Sequence, residues 1–149
     1  MKQIKVLFSV ILVGFLVLFS GCQESQSKEK AVQKVVEGYI NALPTHDVQE
    51  IKKYVNAELQ ENLSNEDYVD AFVNTVVSCE LIEVDTEQIQ EIGNNQIEVP
   101  VKYVLTYSED YVPVGKLVVG DNEMDYIFTL EEKENQCYVI SHMRDALQQ

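Results

Sequence analysis

Ile97-Glu98-Val99-Pro100-Val101-Lys102-Tyr103-Val104-Leu105-Thr106-Tyr107 places an apolar or aromatic side chain at every odd position. A period of two sustained this long is the signature of a β-strand with one buried face. Pro100 has no N–H to give to a ladder, so its nitrogen must face a sheet edge or a bulge. Upstream, Gly93-Asn94-Asn95 are residues that tolerate positive φ, and they mark a turn out of an earlier strand over 79–90 that carries Leu81, Ile82 and Val84. Downstream, Met124, Tyr126, Phe128 and Leu130 repeat the alternation as a third strand facing the same way. Glu132-Lys133-Glu134-Asn135 then turns the chain into a last strand over 136–142. The stretch 108–121, with Val112, Val114, Leu117, Val118 and Val119, reads as a loop carrying a short additional strand or hairpin extension.

Before these strands the period is helical. Over 29–43, Ala31, Val32, Val35, Val36, Tyr39, Ile40 and Leu43 form one broad apolar stripe. Pro44 ends it, because the residue before a proline is pushed out of helical geometry. Asp47 with Glu50 resembles a capping box and starts a short second helix over 48–55. Ser64 and Asp67 repeat that signal ahead of a third face made by Tyr68, Ala71, Phe72, Thr75 and Val76. Helices followed by a run of antiparallel strands predict an α+β domain, N-terminal helices packed on a curved antiparallel sheet of about four strands.

The first residues carry an address. Lys2 and Lys5 precede an apolar run over 6–19, and Ser20-Gly21-Cys22 follows. The run is about fourteen residues, short of the roughly twenty that cross a bilayer as a helix. Leu18-Phe19-Ser20-Gly21-Cys22 resembles the bacterial lipobox, with Phe19 where leucine is usual. That resemblance implies cleavage before Cys22 and diacylglyceryl modification of its sulfur. The chain then divides into a signal peptide (1–21), a lipidated Cys22 with a flexible tether (22–28) and one domain (29–149). Each buried lipid methylene contributes about 0.8 kcal/mol, so two or three chains would hold the protein on the extracytoplasmic face of its membrane. Arg144 is the only arginine, while Lys, Ile, Glu and Asn are common. This bias points, by association, to an AT-rich Gram-positive source.

The chain has 149 residues, 46% hydrophobic, with 25 acidic against 11 basic side chains and a net charge of −14. Such a balance excludes electrostatic capture of nucleic acid. It also repels the domain from anionic lipid, so the anchor at Cys22, and not a basic patch, must make the membrane contact.

Reactive constellations are sparse. His46 and His142 have no second His or Cys at metal-ligand spacing, so the sequence supports no metal site. His142 would serve as a base only if a carboxylate such as Asp85 or Asp125 converged on it. Asp121-Asn122-Glu123-Met124-Asp125 lacks the spaced ligands of a calcium loop and reads as a solvated turn. Tyr39, Tyr103, Tyr107 and Tyr126 point inward, as core residues or as the lining of a ligand pocket that His142 could join. Cys79 and Cys137 lie in an exported domain, where a disulfide is permitted. In a simple meander they fall far apart on the sheet, which favours two free thiols. No phosphate loop, nucleophile elbow or cofactor motif is present.

The long first helix with Tyr39-Ile40-Asn41-Ala42-Leu43, the Asp47-led second helix with Tyr54, a third helix and then four strands resemble the NTF2-like, cystatin-like-fold group. The pattern is particularly similar to bacterial lipoprotein domains of unknown function of the DUF4878 type. The resemblance spans about residues 29–143 and implies a cone-like sheet crossed by a helix, often with a pocket between them. It transfers no catalytic residues. The leading expectation is a non-catalytic accessory module that binds a protein partner or small ligand. The competing reading is a pocket enzyme, isomerase- or hydrolase-like, acting on a small envelope metabolite. A third is homodimerisation through the open sheet face.

Overall fold

A computed structural model describes residues 27–134 and 136–145, with side chains described up to residue 140. The expected signal peptide (1–21), Cys22 and the side chain of His142 lie outside the described residues. Helix α1 (27–42) holds the apolar stripe, and a 3-10 turn over Leu43–Thr45 takes the chain through Pro44. Short helices α2 (Val48–Ile51), α3 (Ala57–Asn62) and α4 (Glu66–Tyr68) follow, and α4 runs on as a π-turn over Val69–Val73. Then come strands β1 (Val76–Val84), β2 (Gln90–Gly93), β3 (Gln96–Tyr107), β4 (Gly120–Lys133) and β5 (Gln136–Asp145). The sheet is antiparallel in the order β1-β3-β4-β5, curled into a half-barrel, with β2 pairing the same edge of β3 as β1. None of the described helices is long and apolar enough to cross a membrane.

Local chemistry explains where the elements begin. Asp47 caps α2 as its sequence promised, its Oδ1 accepting from the N–H of Gln49 (2.9 Å) and Glu50 (3.2 Å). The helix is shorter than the expected 48–55 because the chain at Tyr54–Asn56 is taken up by the sheet. Asn56 N–H donates to the Val139 carbonyl (3.0 Å), and Val139 N–H donates to the Tyr54 carbonyl (2.8 Å), a parallel bridge that covers part of the β5 edge. Asn56 then caps α3, an element the sequence reading lacks, by accepting from Leu59 N–H at 3.1 Å. Asn65, and not the expected Ser64, caps α4 through the N–H of Asp67 and Tyr68.

The expected strand over 79–90 is two strands. β1 starts earlier, at Val76, and ends at Val84; Thr86–Gln88 form a 3-10 turn before β2. The break falls opposite Pro100, whose carbonyl accepts from Asp85 N–H at 3.0 Å while its ring nitrogen has no proton to give. The proline therefore sits where the ladder is interrupted. Asn94 (φ 52°) and Asn95 (φ 58°) form the two-residue turn from β2 to β3, both with the positive φ that a primed hairpin turn requires. β4 begins at Gly120, so Asp121–Asp125 lie inside a strand and not in a solvated turn. The stretch 108–119 contains no strand.

The inner face carries the alternating residues. Ile97, Val99, Val101, Tyr103, Leu105 and Tyr107 of β3 lie beside Leu130, Phe128, Tyr126, Met124, Asn122 and Gly120 of β4. Helix α1 covers this face with Val32, Val36 and Ile40, all fully buried. Each such side chain contributes about 1.5–3 kcal/mol. At its N-terminal end Lys28, assigned to the tether by sequence, is part of α1 and pairs with Glu91 of β2 and Glu132 of β4 (3.6 Å).

Gly38 lets α1 approach the segment after α2. A Cβ there would stand 2.7 Å from Cδ1 and Cζ of Tyr54 and closer still to Cε1. In an open helix, Gly→Ala adds about 1 kcal/mol of stability. Here overpacking, typically 1–3 kcal/mol, opposes and exceeds that gain. Gly38→Ala should therefore lower stability by up to about 2 kcal/mol in chemical denaturation. Adding Tyr54→Ala should make the alanine at 38 favourable again; additive losses would show that the ring is not the obstacle.

Candidate functional site

The end of α1, the short helices and the end of the sheet where β1 begins and β3 ends surround a cavity of about 140 Å³. Tyr39 and Leu43 supply one wall, and Leu105 and Tyr107 of β3 supply the floor. Ile51, Leu59 and Leu63, from α2, α3 and the turn after α3, form the opposite side. Tyr68 and Phe72, half-buried and tilted against each other at 5.1 Å between ring centres, stand on the π-turn side. The π-turn ends with Asn74 N–H donating to the Val69 carbonyl at 2.9 Å. Phe72 and Val73, both inside this turn, line the cavity.

Neighbouring contacts fix the rim. His46 adopts φ 57°, and its Nε2 meets the Val76 carbonyl at 2.6 Å, a contact in which the ring nitrogen must donate. Tyr111 stacks on Tyr107 with ring centres 3.8 Å apart and 8° between planes. Burial pushes the phenols of Tyr39 and Tyr107 well above their ordinary range, so both stay neutral at any physiological pH. Cys79, behind them on β1, is pushed by burial up to about 12. A thiol held protonated to that degree is a poor nucleophile. The cavity wall contains, among the described residues, no carboxylate, imidazole or amine. Its lining is apolar apart from the phenol groups of its tyrosines.

The inward tyrosines separate into two groups. Tyr39 and Tyr107 line the cavity. Tyr103 is 1% exposed and lies deeper, edge-on to Phe128 at 5.8 Å, while Tyr126 is half-buried against the core; neither forms part of the cavity wall. Tyr103 Oη is buried with no hydrogen-bond partner among the described residues. An unmade buried hydrogen bond costs about 1–3 kcal/mol. Tyr103→Phe should consequently leave thermal stability unchanged or raise it by up to about 1 kcal/mol, whereas a loss above that size would reveal a partner for the hydroxyl.

Asp85 and Asp125, the carboxylates considered for His142, share a depression of about 240 Å³ on the outer face of the sheet with Glu83 and Lys102. Lys102 Nζ donates to Glu83 at 3.3 Å and Gln88 Nε2 to Asp85 at 2.6 Å. No group of three metal-ligating side chains occurs among the described residues. Cys79 on β1 and Cys137 on β5 stand on opposite edge strands, both as free thiols.

Sequence reasoning missed Ile51, Leu59, Leu63 and Phe72 as cavity residues. They come from three short segments, α2, α3 with its C-cap, and the π-turn, and no one periodic stretch joins them. It also missed Asn122, which extending the alternation of β4 two residues back from Met124 would have placed inward. Searches of protein-family models and of curated proteins gave no match to this chain.

Proposed function

We propose that this chain is a lipid-anchored extracytoplasmic protein whose domain binds a small apolar ligand, or the apolar group of a larger one, without chemistry. The observation that carries the reading is the apolar cavity beside Tyr68 and Phe72. Its volume of about 140 Å³ is close to that of a protein cavity known to stay dry and take up benzene, roughly 150 Å³. That size accommodates one ring or a short branched chain within the cavity. A helix laid on a curled antiparallel sheet is compatible with the NTF2-like, cystatin-like arrangement. The lipobox-like Ser20-Gly21-Cys22 supplies the membrane attachment in this reading.

Titrating the protein with benzene, toluene or indole should raise its melting temperature, since a ligand that binds the folded state stabilises it by mass action. Leu59→Trp, which fills the space, should abolish that rise. Stabilisation that survives in Leu59→Trp would place binding elsewhere. Native mass spectrometry of the full chain extracted from its membrane should show a retained small mass. Cys22→Ser should release the protein from the membrane fraction.

A further inference from the structure

Between the end of β3 and the start of β4 the chain builds an exposed apolar tip on a fixed base. Val112, Val114, Val118 and Val119 are all exposed, Val112 at 75%. The base is held from both sides. Tyr111 is buried and stacked on Tyr107, its N–H donating to the Ser108 carbonyl at 3.1 Å. On the other side the Asn122 side chain accepts from Val118 N–H (2.8 Å) and donates to the carbonyls of Val118 (2.8 Å), Gly120 (2.9 Å) and Leu105 (3.2 Å). The turn itself closes with Leu117 N–H donating to the Val114 carbonyl, and Gly115 takes φ 64°. A buried asparagine that ties both backbone groups of Val118 to the β3 and β4 backbone fixes that loop's base before anything binds, and preorganised loops lose little entropy on association.

Charge and position select the occupant. Glu109, Asp110, Asp121 and Glu123 flank the tip and are exposed, against Lys116 as the cation within it. A second copy would bring two such acidic collars together, and an anionic lipid surface would repel the collar. The tip also lies at the far end of the sheet from residue 28: Tyr107 and Gly120 close that end, whereas Lys28 meets Glu91 and Glu132 at the other. Twelve residues of β3 separate the two ends, roughly 40 Å at about 3.3 Å per residue. From these observations we infer that the 111–119 tip is a protein-docking element, its valines entering an apolar cleft on a partner whose rim carries Lys and Arg.

The test uses the full chain in the cell that encodes it, with p-benzoylphenylalanine in place of Val114, and at the exposed Ile92 of β2 as the control at the opposite end. Irradiation should give one discrete protein adduct from position 114 and not from 92. Glu109→Lys with Asp110→Lys should reduce that adduct at least tenfold, as should Val112→Ser with Val118→Ser, both at unchanged melting temperature because these side chains are exposed. Adducts with the mass of two chains, adducts to lipid alone, equal yield at both positions, yield indifferent to the lysine pair, or no adduct would each overturn the inference.

Discussion

Phe128→Ala should lower the stability of the domain by about 3–5 kcal/mol, the range for deleting a fully buried phenylalanine. Phe128 is 0% exposed on β4. Its ring is edge-on to Tyr39 of α1 at 6.1 Å and to Tyr103 of β3 at 5.8 Å. One ring therefore joins the helix layer to two strands, and edge-to-face pairs add about 0.5–1.5 kcal/mol beyond the area they bury. A domain of ordinary stability has about 5–15 kcal/mol in total, so the variant would sit near its unfolding threshold at body temperature. Urea denaturation should show the midpoint falling with an unchanged slope. Phe128→Leu, which keeps most of the volume, should lose less than half as much. A Phe128→Ala loss below about 1 kcal/mol would mean that α1 is held by other contacts.

The second large effect is alkaline unfolding. Burial raises the ionisation of Tyr39, Tyr103, Tyr107 and Cys79, the last from 9.0 to about 12. In the unfolded chain the thiol loses its proton near 9 and the phenols near 10, while the folded protein retains all four. The unfolded state thus binds fewer protons, so stability, fully present below about pH 9, falls as pH rises through the window from 9 to 12. The loss begins with the thiol above pH 9 and steepens above pH 10, where the unfolded phenols also give up their protons; a group that stays neutral in the fold costs about 1.4 kcal/mol for each pH unit above its unfolded value. Tyrosinate absorbance at 295 nm should rise in one cooperative step together with loss of helix signal. A gradual rise at constant ellipticity would show that these phenols reach water in the folded state.

How much of this was legible in the sequence depends on regularity. β3 obeys a strict period of two from Ile97 to Tyr107, and its extent is visible at once. β1 does not, because register shifts at Val76/Ser78 and Leu81/Glu83 leave Val77 and Ile82 as extra, exposed residues. Its inward set is Val76, Cys79, Leu81 and Val84, opposite Tyr107, Leu105, Tyr103 and Val101. Spacings of three, two and three match neither a strand nor a helix, so the start of the strand was placed too late. Asp121 and Glu123 made the first half of β4 look like a turn, since an inward Asn122 breaks the apolar alternation and its partners lie in the loop. Of the cavity's walls, those from long periodic elements were legible as inward positions, Tyr39 and Leu43 of the first stripe and Leu105 and Tyr107 of β3, and of these only the two tyrosines read as pocket candidates. Its other walls come from segments too short to show a period, brought together by Asn caps and the π-turn.

The bridge between Val55 and Val139 has a consequence for how the protein is made. Chains emerge N-terminus first at about 5–20 residues per second, so α1 and the short helices leave the ribosome with no sheet to receive them. Val32, Val36, Tyr39 and Ile40 remain uncovered until β3 and β4 arrive, and the Tyr54 carbonyl and the Asn56 N–H wait for Val139 of β5. The link between α2 and α3 therefore closes only after Val139 has been made, and loss of β5 would leave the Tyr54 carbonyl and the Asn56 N–H without those partners, an opening for proteases.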